Sequence, residues 1–170
     1  MTDAEFNAFL ATIKPMPQKN TPAIIVDIDG TVARSVKRDP HEVEEMKNYE
    51  RIFYTVGVAY DWVKNDPREK RKILFVTGRP EKARAATKAW IDFKSFGIEP
   101  DLYELYMRPS IMNDLPGAQF KYEIYKNYIH DKYNVKFVME NSLRACQMYR
   151  ALGLNVLHVM SSKKPWSEKD

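Results

Sequence analysis

At 170 residues the chain is long enough for one domain with a sizeable core and too short for two ordinary ones. A hydrophobic fraction of 44% against 29% charged residues excludes an intrinsically disordered chain, and no apolar run approaches the roughly 18 residues of a bilayer span. The net charge of +4 admits an anionic substrate without demanding nucleic acid.

The single cysteine, Cys146, excludes an internal disulfide framework, and His41, His130 and His158 show no metal-ligand spacing. Residues 1–20 mix charges with short apolar stretches, unlike a secretory signal, so a cytoplasmic location without membrane contact is expected. These residues read as a loosely docked N-terminal arm, 21–160 as the domain proper and 161–170 as a C-terminal tail.

In chain order, AIIVD at 23–27 reads as a fully buried first strand. A charged stretch from 34 to 47 is too polar for core. Residues 52–63 carry apolar side chains at helical spacing and end before Asn65-Asp66-Pro67. KILFV at 72–76 is a second buried strand, closed by Thr77-Gly78-Arg79-Pro80. Pro80 suits the first turn of a helix over 81–96 that stops at Gly97.

A third strand is expected at 102–107, a helix at 120–133, a fourth strand at 135–139, a helix at 143–152 and a fifth strand at 155–159. This alternation predicts an α/β fold with a doubly wound, mainly parallel five-stranded sheet. Cys146 falls in an apolar helical pattern and reads as a buried structural thiol. Tyr122, Tyr125, Tyr128 and Tyr133 are spaced for helix packing rather than base stacking.

Ligands of such sheets bind beyond the carboxyl ends of the strands. Those ends carry Asp27-Ile28-Asp29-Gly30-Thr31, Thr77-Gly78-Arg79 and Glu140-Asn141-Ser142, with Lys121 on the helix before the fourth strand. Two acids at the end of a buried strand are costly unless their charge is compensated, and a divalent cation is a natural compensation. Ordinary alternatives stand beside each residue. Asp27 and Asp29 could be turn acids, Thr77 a helix N-cap, Arg79 a surface ion-pair partner, and Lys121 a solvated lysine like Lys126.

Together, DIDGT, TGR, the helix lysine and the acidic fourth strand resemble the four motifs of the haloacid dehalogenase superfamily, over residues 22–159. NVKFVMENSLRACQMYRALGLNVLHV at 134–159, MRP at 107–109 and FKYEIYKNYI at 120–129 further resemble the 3'-phosphatase domain of bacteriophage polynucleotide kinase-phosphatase. No GxxxxGK[ST] phosphate loop occurs, so a stand-alone phosphatase module is expected.

The resemblance implies a Rossmannoid sheet, capless or with a small flap, and a Mg2+-dependent phosphomonoesterase working through an aspartyl-phosphate. It makes Asp27 the nucleophile and Asp29 the general acid and base. Thr77 and the Gly78 amide would hold a phosphoryl oxygen, and Lys121 would supply positive charge. Thr31, Gly78, Arg79, Arg38 and Arg108 would meet substrate. Asp27, the Asp29 carbonyl, Glu140 and Asn141 would hold magnesium.

The fourth motif normally offers two aspartates, and here Glu140 and Asn141 stand in their place. This departure bears on metal affinity. The resemblance implies removal of 3'-phosphates from polynucleotide ends, in the host cytoplasm if the chain is phage-encoded, with a separate kinase or ligase as a partner. Two alternatives stay open: a nucleotidase for free nucleoside monophosphates, and a catalytically impaired fold that binds nucleic acid.

Overall fold

A computed structural model describes residues 1–34, 50–65, 69–94 and 98–160. Arg38 and the charged stretch around it lie outside the described residues. In chain order the elements are α1 (Asp3–Thr12), β1 (Thr21–Val26), β2 (Ala33–Arg34), β3 (Glu50–Arg51) and α2 (Phe53–Lys64). They continue with β4 (Lys72–Pro80), α3 (Arg84–Lys94), β5 (Tyr103–Arg108), α4 (Gly117–Ile124), β6 (Tyr133–Glu140), α5 (Leu143–Ala151) and β7 (Val156–His158). A π-helical turn, Tyr125–Ile129, extends α4.

Five strands form one parallel sheet in the order β5-β4-β1-β6-β7, the doubly wound arrangement expected from the sequence. The short β2 and β3 pair antiparallel beside it. Val26 pairs with Phe75 on one side and Met139 on the other, so the ends of β1, β4 and β6 lie at one level. That register brings the three motif-bearing strand ends together.

Both faces of the sheet are covered, which is why its strands read as continuous apolar runs rather than alternating ones. Ile24, Val26, Ile73 and Phe75 pack under Val56, Ala59, Trp90 and Ile91 of α2 and α3. Ile25, Leu74, Val76 and Val138 pack on the other face under Phe120, Ile124, Met148 and Tyr149. Cys146 is buried, and burial pushes its thiol up to about 12, which leaves it inert at neutral pH. Of the tyrosines assigned to packing, Tyr125 and Tyr133 are buried, whereas Tyr128 is exposed.

The first residues are better anchored than a loose arm. The Thr2 hydroxyl accepts the Glu5 N–H at 3.2 Å, and the Glu5 carboxylate accepts the Thr2 N–H at 2.7 Å, a capping box that starts α1. Phe6 and Ile13 then enter the core beneath α5, and the Arg144 guanidinium lies over the Phe6 ring. β4 also runs further than expected, to Pro80, through a register shift that keeps Thr77-Gly78-Arg79 within the strand end.

Candidate active site

The chain leaves β1 at Asp27, whose N–H donates to Met139 O at 2.9 Å and whose side chain is buried. The following turn folds back on Ile28, whose carbonyl accepts from the N–H groups of Thr31, Val32 and Ala33. Gly30 sits at φ +87°, and a Cβ there would come within 2.1 Å of Asn141 Nδ2. Only glycine satisfies both the positive φ and this approach. The Thr31 hydroxyl donates to Asp27 Oδ2 at 2.9 Å, and its carbonyl accepts the Thr55 hydroxyl at 2.6 Å from the first turn of α2.

Of the two lysines on α4 and the turn that extends it, Lys126 is exposed and Lys121 is only 6% exposed. Its Nζ donates to Asp27 Oδ1 at 2.8 Å and to Glu140 Oε2 at 2.5 Å. Burial, reinforced by the Glu140 charge, pushes the Asp27 carboxyl up to about 7 against the opposing pull of Lys121. Burial alone would lower Lys121, yet Asp27 and Glu140 outweigh it and hold the ammonium above its ordinary range.

Arg79, expected to meet substrate, lies buried against Asp29. Its side chain is 2% exposed and forks Asp29, with Nη2 donating to Oδ1 at 2.6 Å and Nε to Oδ2 at 2.8 Å. Nη1 donates to the buried Thr87 hydroxyl at 3.1 Å. Among these contacts the paired donation positions Arg79 to orient Asp29. Thr77 adds its hydroxyl to Asp29 Oδ2 at 3.3 Å and accepts the Arg79 N–H at 3.2 Å. The helical turn after it is capped from Pro80, so Thr77 is not an N-cap.

Gly78 is exposed above this pair, and a Cβ there would meet only Arg108 Nη2, at 3.9 Å. Arg108 therefore stands beside the strand end, its guanidinium over the Phe120 ring and donating to the carbonyls of Met112 and Leu115. Tyr54 in the first turn of α2 and Ile111 after β5 project into solvent at the same end, 89% and 90% exposed.

For a metal, the acids are fewer than expected. Among the described residues no three His, Cys, Asp or Glu side chains form a cluster that could hold an ion. Of the Glu140 carboxylate, Oε2 accepts from Lys121, and Oε1 accepts the N–H groups of Asn141 and Ser142 at 3.1 and 2.9 Å. Asp27 Oδ2 and Asn141 Oδ1, by contrast, converge on the Thr31 hydroxyl, at 2.9 and 3.4 Å. These two oxygens would suit a magnesium ion, which is commonly bound through one or two carboxylates and completed by water and substrate phosphate.

Thr55, Thr87 and His158 were not apparent from the sequence. His158 Nε2 lies 3.2 Å from the Asn141 carbonyl and steadies the fourth-motif turn. Nothing local marks them, since each acts on a residue at least eight positions away.

A buried carboxylate gripped by a lysine at the carboxyl edge of a five-stranded parallel sheet, with a second acid two residues on, defines the haloacid dehalogenase phosphatases. This chain is one of them. It belongs to the polynucleotide kinase PNKP phosphatase domain family, whose profile matches residues 21–163. A protein of Autographa californica nuclear polyhedrosis virus, named as a bifunctional polynucleotide kinase/RNA ligase, is 28% identical over 138 residues. That match covers 81% of this chain and 19% of the viral protein.

A chain in the solved structure of the Pnkp1/Rnl/Hen1 RNA repair complex shares the fold with a TM-score of 0.70 at 23% identity, covering 87% of this chain and 46% of that one. A second structure of the Pnkp1/Rnl/Hen1 complex gives 0.70 at 24%, covering 87% and 49%. The chain thus spans about a fifth of its viral relative and under half of these structural relatives. Among the described residues no helix is long and apolar enough to cross a membrane.

Proposed function

We propose that this phosphatase removes 3'-phosphates from polynucleotide ends through an aspartyl-phosphate on Asp27, with Mg2+ as cofactor. The observation that supports the reading is the pairing of Asp27 with Lys121 and of Asp29 with Arg79, which gives the two acids separate partners and suits them to separate roles. Asp27 is buried against Lys121, as a fixed nucleophile requires. Asp29 is 38% exposed at its side chain, as a proton carrier that meets both substrate and water requires.

In the first step an Asp27 carboxylate oxygen forms a bond to phosphorus as the bond to the 3'-oxygen breaks. Asp29 delivers a proton to that leaving oxygen. In the second step Asp29 takes a proton from water, the water oxygen attacks phosphorus, and the bond to Asp27 breaks to release phosphate. Lys121 balances charge at the Asp27 oxygen throughout, and the Gly78 amide and Thr77 border the place of the phosphoryl oxygens. Asp27, Asn141 and the Asp29 carbonyl would hold magnesium, which when bound neutralises phosphoryl charge.

The polynucleotide substrate is supported by the family and by the names of the relatives, and by Tyr54, Ile111 and Arg108 at the mouth, groups suited to bases and backbone phosphates. An RNA end, and a kinase or ligase partner, fit the repair complex in which the structural relatives occur. Magnesium-dependent phosphate release from 3'-phosphorylated RNA and DNA oligonucleotides should exceed that from nucleoside 3'-monophosphates. Release from mononucleotides alone would support the nucleotidase alternative, and release from neither would support a binding module.

A further inference from the structure

We propose that Asn141, with its neutral amide, makes cation and substrate phosphate bind to this site as a coupled pair, so that the metal is held weakly until phosphate arrives. The proposal rests on reading the site as that of a magnesium phosphatase, and concerns how its metal is admitted.

The amide is placed against the turn that follows Asp27. Asn141 Nδ2 lies so close to Gly30 that a Cβ there would stand 2.1 Å from it. Its Oδ1 lies 3.4 Å from the Thr31 hydroxyl, which also bonds Asp27 Oδ2 at 2.9 Å. The backbone carbonyl of Asn141 is held by His158 at 3.2 Å. Glu140, one residue earlier, is 1% exposed and is turned the other way, with both oxygens bonded to Lys121 and to backbone N–H groups. The fourth motif therefore presents an uncharged oxygen beside Asp27.

Charge then decides the order of binding. Asp29 is matched by Arg79, and Asp27 and Glu140 share the one positive charge of Lys121. With all five groups ionised, the three carboxylates and two cations that these contacts join among the described residues carry a single net negative charge. A divalent ion beside it is left half neutralised, and a phosphate dianion supplies the missing charge. Magnesium gives up its water reluctantly, so an under-charged site holds it poorly without substrate oxygens. Linkage makes the effect mutual: phosphate tightens the metal by the same factor by which metal tightens phosphate.

The test is a titration of Mn2+, followed by electron paramagnetic resonance, into wild type, Asn141→Asp and Asn141→Ala, with and without saturating inorganic phosphate. For wild type, phosphate should tighten Mn2+ about tenfold or more. Asn141→Asp should bind Mn2+ about tenfold or more tightly without phosphate, with a smaller gain on its addition. Asn141→Ala, checked by circular dichroism for an intact fold, should bind Mn2+ more weakly than wild type in the presence of phosphate.

Equal Mn2+ affinity with and without phosphate in wild type would overturn the proposal, as would Asn141→Asp binding no tighter than wild type. Failure here is distinct from failure of the phosphatase reading. An enzyme that releases phosphate while binding Mn2+ without coupling contradicts only this proposal, and a protein that releases none still reports its metal affinity.

Discussion

Lys121 reaches Asp27 across 94 residues of sequence, its ammonium 2.8 Å from Oδ1, and both side chains are buried. The same ammonium also holds Glu140 at 2.5 Å, so one cation separates two interior carboxylates. Removing that cation leaves two like charges with little solvent to screen them.

Lys121→Met, which keeps the length and loses the charge, should destabilise the fold by about 3–5 kcal/mol in chemical denaturation. Adding Glu140→Gln should recover a large part of that loss, because the second buried charge is then gone. A double-mutant cycle that instead gives additive losses would mean that the two residues are not coupled.

Arg79→Lys should leave the fold intact and lose the fork on Asp29, since a lysine cannot make the paired donation. On a 3'-phosphorylated oligonucleotide, kcat should fall roughly 10- to 100-fold with KM near the wild-type value, the loss expected when a proton carrier is misplaced. A raised KM with unchanged kcat would instead show Arg79 gripping substrate.

The raised Asp27 carboxyl makes stability depend on pH in a definite direction. Its ordinary value is 3.8 and its value in the fold is about 7, so the folded state holds the proton more tightly than the unfolded chain. The contribution of Asp27 is therefore fully present below the lower value and is lost as pH rises through the upper one, by up to about 1.4 kcal/mol per pH unit. With EDTA present, the stability of Asp27→Asn relative to wild type should grow from acid pH to about 7 and then level off. A difference that does not change with pH would contradict the shift.

The sheet was legible because both of its faces are buried, so AIIV and ILFV carry their apolar character without interruption. The strand-end residues were legible because Asp27, Thr77 and Glu140 terminate such runs. Partner choice was not legible. Arg79 sits next to Gly78 in sequence and pairs 50 positions away, and only the turn after β6 decides that Glu140 faces Lys121 while Asn141 meets Thr31. α1 left a signal, the Thr2-Asp3-Ala4-Glu5 capping box, but its polar residues obscured the helix that Phe6 anchors.

The nucleophile assigned to Asp27 is tested most directly by trapping its phosphorylated form. The enzyme would be mixed in excess with an oligonucleotide carrying a radiolabelled 3'-phosphate, quenched in acid within milliseconds, and the labelled peptide located by mass spectrometry. The expected result is transient label on the peptide that contains Asp27, absent from Asp27→Asn, which releases no phosphate. Full phosphate release by Asp27→Asn, or label on another residue, would contradict it.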